Sequence, residues 1–295
     1  MTTISITAVR RHVEHIDAVT DINANGTANS IQEWASIMFT NPDTNEHDLS
    51  QQRAFEVIVG MFVMTFHDEA ERNEGRHSVG TQTPSNRAGY IMLKKKLKQL
   101  TGMRNQKQLI MFMTGAGGSG KTRVINTVMA YAKGFCKAIN YMFDKRMIVL
   151  TALTGVAATL INGETLHSAA KLNYKRVTPE HIEEWAHARL VIVDEISFAS
   201  SGDLIKLNAR LQALKETDRQ KFGNLHIVFT GDFSQLAPIT GFPLYYETNF
   251  PMWHDWVNCF VELTGQHRFK TDLLFGAIMH RIHEGCPTIA DIALL

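Results

Sequence analysis

Along this chain the spacing of apolar positions changes about one third of the way in. Over residues 50–71 they fall at helical intervals, Phe55, Ile58, Val59, Phe62, Val63 and Phe66, and Met61 and Met64 widen the stripe. That period predicts one long helix with a packed face. A shorter helix is expected over 30–39 and a basic one over 90–100. Residues 72–88 (RNEGRHSVGTQTPSNRA) are polar and rich in turn formers, and read as an exposed loop. From Leu109 onward the pattern becomes regular. Short β-rich runs at 109–114, 147–151, 190–193 and 225–230 alternate with helical stretches. Such alternation is the sequence sign of a parallel sheet with helices on both faces. Three regions follow: 1–48 of unassigned role, a helical lead-in over 49–108, and an α/β domain over 109–295.

Composition narrows the possibilities only a little. The 295 residues are 44% hydrophobic and 20% charged, with net charge +1, so any nucleic-acid binding must use local patches rather than a global field. Lys94, Lys95, Lys96 and Lys98 crowd the basic helix, and a solvated amphipathic face is preferred there to a phosphate-binding patch. Cys136, Cys259 and Cys286 lie far apart without a C-x-x-C pair, which points to reduced thiols. No run of about 18 apolar residues exists to span a membrane. Arg10 and Arg11 have no apolar stretch behind them, and Glu14, Asp17 and Asp21 sit close by. An intracellular protein is expected, nuclear in a eukaryote, with the mitochondrion left open.

Five segments carry chemistry. Gly115-Ala116-Gly117-Gly118-Ser119-Gly120-Lys121-Thr122 reads G-x-x-x-x-G-K-[ST] between an apolar run and a helical one. This is the setting of a P-loop, whose glycines curl backbone N–H groups around phosphate. Lys121 suits the β- and γ-phosphates of a nucleoside triphosphate, and Thr122 suits Mg²⁺. The run Leu190-Val-Ile-Val ends in Asp194-Glu195. There Asp194 would hold the metal and Glu195 would polarise an attacking water. The run Ile227-Val-Phe-Thr230 leads into Gly231-Asp232-Phe233-Ser234-Gln235. Gln235 is neutral and able both to donate to a γ-phosphate and to accept from water, while Asp232 could support the Mg²⁺ shell or salt-bridge a mobile element. Arg268 follows an apolar strand and could act as a finger on the γ-phosphate. Small residues at Thr154-Gly155, and again around Thr165-Leu-His167-Ser168, allow close approach of a sugar-phosphate backbone.

Taken in order, GAGGSGKT, TALTGVAATLINGETLHS, VIVDEIS, FTGDFSQLAPI and LTGQHRF closely resemble the Pif-one/RecD-like branch of superfamily-one helicases, including those carried by Helitron-type transposons. The resemblance runs from about Leu49 to the end of the sequence. It implies a RecA-like P-loop ATPase that uses ATP and Mg²⁺ to move 5′ to 3′ along single-stranded DNA in replication, repair or recombination. Residue by residue, it implies that Gln51 (or Gln52) reads adenine, and that Lys121 and Thr122 hold phosphate and Mg²⁺. Asp194 is then the metal ligand, Glu195 the catalytic base, Gln235 the γ-phosphate sensor and Arg268 the first arginine finger. Thr154, Gly155, Thr165, His167 and Ser168 match segments that contact DNA. The tail IHEGCPTIADIALL is similar to the end of the family's first motor domain, and the second RecA-like domain is not among these residues. The expectation is an ATP-binding lobe that needs a second lobe to unwind DNA.

A different class of function competes with the motor lobe: a nucleotide-gated DNA-binding module, or an inactive fragment, in which ATP occupancy only changes grip. Glu195 and Gln235 favour hydrolysis, and the missing lobe favours the switch. A P-loop kinase or small GTPase is disfavoured, because no guanine-reading N-K-x-D motif occurs and the GDFSQL segment does.

Overall fold

The computed structural model describes residues 31–41, 46–75, 88–103, 107–246, 252–269 and 272–294. All four expected strands form, and two further ones join them. The elements run α1 (Ile31–Phe39), α2 (Leu49–Gly75), α3 (Ala88–Thr101), β1 (Ile110–Thr114), α4 (Lys121–Ala138), β2 (Ile148–Ala152), α5 (Gly155–Leu160), β3 (Glu164–Thr165) and α6 (Leu166–Ala169). They continue with α7 (Pro179–Trp185), β4 (Leu190–Asp194), α8 (Ser201–Leu214), β5 (His226–Gly231), α9 (Met252–Trp256), β6 (Cys259–Glu262), α10 (Leu273–His283) and α11 (Ile289–Leu294). The sheet order is β3-β2-β4-β5-β1-β6, and every pairing is parallel. Among the described residues, no helix is long and apolar enough to cross a membrane.

Strand side chains alternate between two cores, as the pleat requires. Met111 and Met113 of β1, Leu190 and Ile192 of β4, and Val228 of β5 face the core under α1–α4. Ile110, Phe112, Val191, Val193, Ile227 and Phe229 face the other, under α6–α8. With both faces covered, β4 and β5 are buried at every position, as expected of a parallel sheet.

The long helix is more deeply enclosed than a one-sided stripe predicts. Ala54, Phe55, Val57, Ile58, Val59, Met61, Phe62, Val63 and Met64 of α2 are all buried, because α1, α3, α4 and β6 each pack against it. Phe66 meets Phe135 at 5.3 Å and Tyr141 at 5.3 Å between ring centroids. Residues 31–39 join the same core through Trp34 against Tyr131 and Phe39 against Phe55. Residues 1–30, with Arg10 and Arg11, lie outside the described residues.

Two local differences have simple causes. α2 continues to Gly75, past the expected loop start at residue 72, since polar residues such as arginine and glutamate are compatible with a helix. Residues 76–87 of that loop lie outside the described residues. β3, two residues long, is too short to show a period. Gly163 before it is needed for close approach, because a Cβ there would lie 2.4 Å from the Leu150 carbonyl oxygen. On α3, Leu93 and Leu97 are buried, Lys94, Lys95 and Lys98 are exposed, and Lys96 pairs with Glu56 at 3.2 Å. The lysines thus lie on the face turned away from the core.

Candidate nucleotide-binding site

The carboxyl ends of β4, β5, β1 and β6 are neighbours in the sheet, so segments far apart in sequence meet there, where ligands of parallel α/β sheets bind. Gly115–Gly120 links β1 to α4. Gly118 (φ +91°) and Gly120 (φ +96°) adopt left-handed conformations that a side chain would strain. Space forbids a side chain as well: a Cβ on Gly118 would lie 2.4 Å from Arg268 Cβ, and one on Gly120 would lie 2.2 Å from Gln51 Nε2. Close approach from both sides thus requires glycine at these two positions.

Lys121 Nζ donates to the loop's own carbonyls, Gly115 at 2.5 Å and Ala116 at 3.2 Å. Burial lowers its pKa, while the carboxylates of Asp232, Glu195 and Asp194 oppose that loss of charge. Thr122 is exposed in the first turn of α4. Asp194, buried at the tip of β4, accepts on Oδ1 from Thr230 Oγ1 at 2.7 Å and from the Glu195 amide at 3.0 Å. Glu195 sits in a left-handed conformation at φ +56°, which is uncommon for a residue with a side chain. Burial and the Asp194 charge raise its pKa, with Lys121 opposing. A carboxyl poised this way is suited to taking a proton.

Two further side chains converge on Gly117, where a Cβ would lie 3.2 Å from Arg268 Nη1 and 4.0 Å from Gln235 Nε2. The Gln235 amide donates to Asp232 Oδ2 at 2.8 Å. On the opposite flank Gln51, fully buried, donates from Nε2 to the Ser119 carbonyl at 3.0 Å. Gln52 is half-exposed and instead faces His47 at 3.3 Å, so of the two glutamines only Gln51 touches the loop.

Thr154 and Thr165 have local duties. Each caps a short helix, Thr154 accepting from the Ala157 amide and Thr165 from the Ser168 amide. Gly155, His167 and Ser168 are exposed, and nothing lies within 4 Å of a Cβ on Gly155.

Four contributors escaped the sequence reading. Asp48 accepts from the Gln51 amide at 3.0 Å through Oδ1, and its Oδ2 lies 3.0 Å from His267 Nε2. His267 Nε2 also lies 2.7 Å from Gln51 Nε2, which joins the glutamine helix to the residue beside Arg268. The D-x-x-Q spacing at 48–51 was a legible helix-start signal. Thr230 and His283, by contrast, are identifiable only in three dimensions.

The residues present fit a magnesium nucleotide. A cradle of glycines opens at a helix N-terminus, whose first N–H groups lack intrahelical acceptors. Ser119 Oγ and, next to the acidic pair, Ser197 Oγ are buried without hydrogen-bond partners. Oxygen donors on Thr122 and Asp194 are of the kind Mg²⁺ prefers.

Comparison with known proteins agrees with this geometry. A family model described as PIF1-like helicase matches residues 94–271. The chain is similar to the ATP-dependent DNA helicase PIF1 of Saccharomyces cerevisiae, 28% identical over 188 residues that make up 59% of this chain and 21% of that protein. It is also similar to the ATP-dependent DNA helicase Pif1 of a Psychrobacter species, 33% identical over 143 residues, 43% of this chain and 20% of that protein. The chain therefore spans about a fifth of the length of these relatives. Among solved structures, the crystal structure of Pif1 helicase from Candida albicans superposes with a TM-score of 0.51 at 24% identity, covering 72% of this chain and 46% of that one. That likeness is one of fold.

Proposed function

Because the chain belongs to the PIF1-like helicase family, matching its model over residues 94–271, we propose that it is the ATPase motor lobe of a 5′-to-3′ DNA helicase. The observation that carries this reading is the convergence of Lys121, Glu195, Gln235 and Arg268 on one glycine loop.

Bound MgATP supplies the phosphoanhydride bond that is cleaved and the metal charge that offsets its phosphates. Lys121 exchanges its loop carbonyls for phosphate oxygens. Thr122 and Asp194 hold the metal, Asp194 being oriented by Thr230. Glu195 accepts the proton of the attacking water, for which its raised pKa suits it. Gln235 donates its remaining amide hydrogen to the γ-phosphate and orients the water, and Arg268 stabilises the charge that builds on the transferring group. Gln51, held against the loop by its bond to the Ser119 carbonyl, reads the adenine base. Thr154, Gly155, Thr165, His167 and Ser168 line the approach of a single DNA strand, gripped by phosphate contacts and stacking without sequence readout. A second motor lobe, in a longer form of the protein or in another chain, completes translocation. On this reading the protein works where its DNA is kept, the nucleus or mitochondrion of a eukaryote, in repair, recombination or replication.

The test is ATP hydrolysis with and without single-stranded DNA, with Lys121→Ala as the blank. Stimulation by DNA that vanishes in the variant supports the motor lobe. ATP binding without turnover in either condition favours the nucleotide-gated DNA-binding module instead.

A further inference from the structure

His283, in the last turn of α10, is half-buried beside the nucleotide loop. Its Nε2 lies 3.0 Å from Asp232 Oδ1 and 2.9 Å from Asp232 Oδ2. An ionised carboxylate only accepts, so the ring nitrogen donates. The same carboxylate accepts from Gln235 Nε2 at 2.8 Å and from the Ser234 amide at 3.0 Å. Asp232 is 3% exposed. Burial works against its charge, but the bonds from Gln235, His283 and Ser234 outweigh that and hold its pKa below the usual carboxylate range. The group sits at a cavity of about 330 Å³ lined by Gly117, Gln235, Arg268 and His283. α10 also packs on the segment carrying Arg268: a Cβ on Gly276 would lie 2.9 Å from Phe269 Cβ.

We propose that His283 is a positioning residue for γ-phosphate recognition: by donating to Asp232 it offsets that charge beside the nucleotide loop and fixes the carboxylate that orients Gln235. The physical need is specific. Asp232 claims one amide hydrogen of Gln235, which fixes which end of the amide turns toward the loop. Left unopposed, the same negative charge would repel a terminal phosphate and compete for the remaining hydrogen. His283 meets both demands, and because it belongs to α10 it links the sensor to that helix. In the sequence, nothing in the IHEG tail joins His283 to a residue 51 positions earlier.

This inference rests on the motor-lobe reading, and binding distinguishes the two without needing turnover. The affinities of a non-hydrolysable ATP analogue and of ADP are measured with Mg²⁺ for the parent and three kinds of variant. His283→Ala is expected to lower the preference for the analogue over ADP about tenfold, the size of one charge-assisted hydrogen bond, with ADP affinity unchanged within about twofold. His283→Gln, which keeps a donor, retains most of the preference. In an Asp232→Asn background, His283→Ala has no further effect on the ratio, since the charge it offsets is gone. Equal losses for both nucleotides, an unchanged ratio in His283→Ala, or the same loss in the Asp232→Asn background would overturn the inference alone. A parent that binds neither nucleotide overturns the motor-lobe reading and the inference with it. Should His283→Ala unfold, His283→Leu, which fills the space of the ring without a donor, replaces it in both backgrounds with the same expected outcomes.

Discussion

At the scale of single residues, the site is organised by opposed charges, some buried and some exposed. Lys121, Asp194, Glu195, Asp232 and Arg268 act on one another, so each change should give its own signature. Lys121→Ala should abolish nucleotide binding, measured by fluorescence displacement. Glu195→Gln should retain ATP binding and lose hydrolysis by about a hundredfold or more, the usual contribution of a positioned base. A Glu195→Gln protein that turned over at the parent rate would remove Glu195 from the role of base. The raised pKa of Glu195, caused first by burial and then by Asp194, has a definite direction. The base works only when deprotonated, so kcat should fall on acidification at a pH above the ordinary glutamate range. A pH–rate profile that stayed flat down to that range would contradict this.

Elements decide how firmly the site is held. α2 and α4 meet through aromatic rings, with Phe135 against Phe62 and Phe66 and Tyr131 against Phe55. Phe135→Ala should cost about 3–5 kcal/mol in a denaturant titration, a value typical of a buried phenyl ring. At the opposite end of the sheet, His226 opens β5, fully enclosed, and its Nδ1 accepts from the Leu109 amide at 3.0 Å. Burial first, with Arg189 adding to it, depresses its pKa from 6.5 to about 4. The unfolded chain therefore binds a proton that the folded one refuses between those values, and stability should decline as pH falls through that window. Thermal melts at successive pH values check this, and the decline should flatten in His226→Asn. The helix caps matter for reading DNA-binding variants. Thr165→Ala should cost about 1 kcal/mol by losing its cap alone, so a DNA-contact role needs Thr165→Ser as the comparison.

At the scale of the whole molecule, the parallel sheet gathers the candidate nucleotide site along the carboxyl ends of its strands, and the segments that open α5 and α6 follow the carboxyl ends of β2 and β3. Affinity for single-stranded DNA, followed by fluorescence anisotropy, should fall steeply with added salt if lysine and arginine neutralise its phosphates. An affinity independent of salt would argue against phosphate contacts.

Much of this was legible in one dimension because it is local. The G-x-x-x-x-G-K-[ST] run, the apolar strand ending in Asp194-Glu195 and the helical stripe of 50–71 each depend on neighbours within a few residues, where steric and hydrogen-bonding rules act directly. Assignments that depend on distance were not legible. Sequence favoured Gln51 with Gln52 as its alternative, and only in three dimensions is Gln51 seen to be the one that packs against Gly120. A one-sided stripe did not reveal that α2 is enclosed nearly all round, since that follows from which helices surround it. The Asp48–His267 and Asp232–His283 contacts join residues 219 and 51 positions apart. Sequence by itself determined the strand–helix alternation, the phosphate-binding loop and the residue types able to do the chemistry, because each is set by local covalent and steric constraints. Only the tertiary structure decided which charges oppose one another and which side chains orient them, because electrostatic and hydrogen-bond partners are chosen by proximity in space.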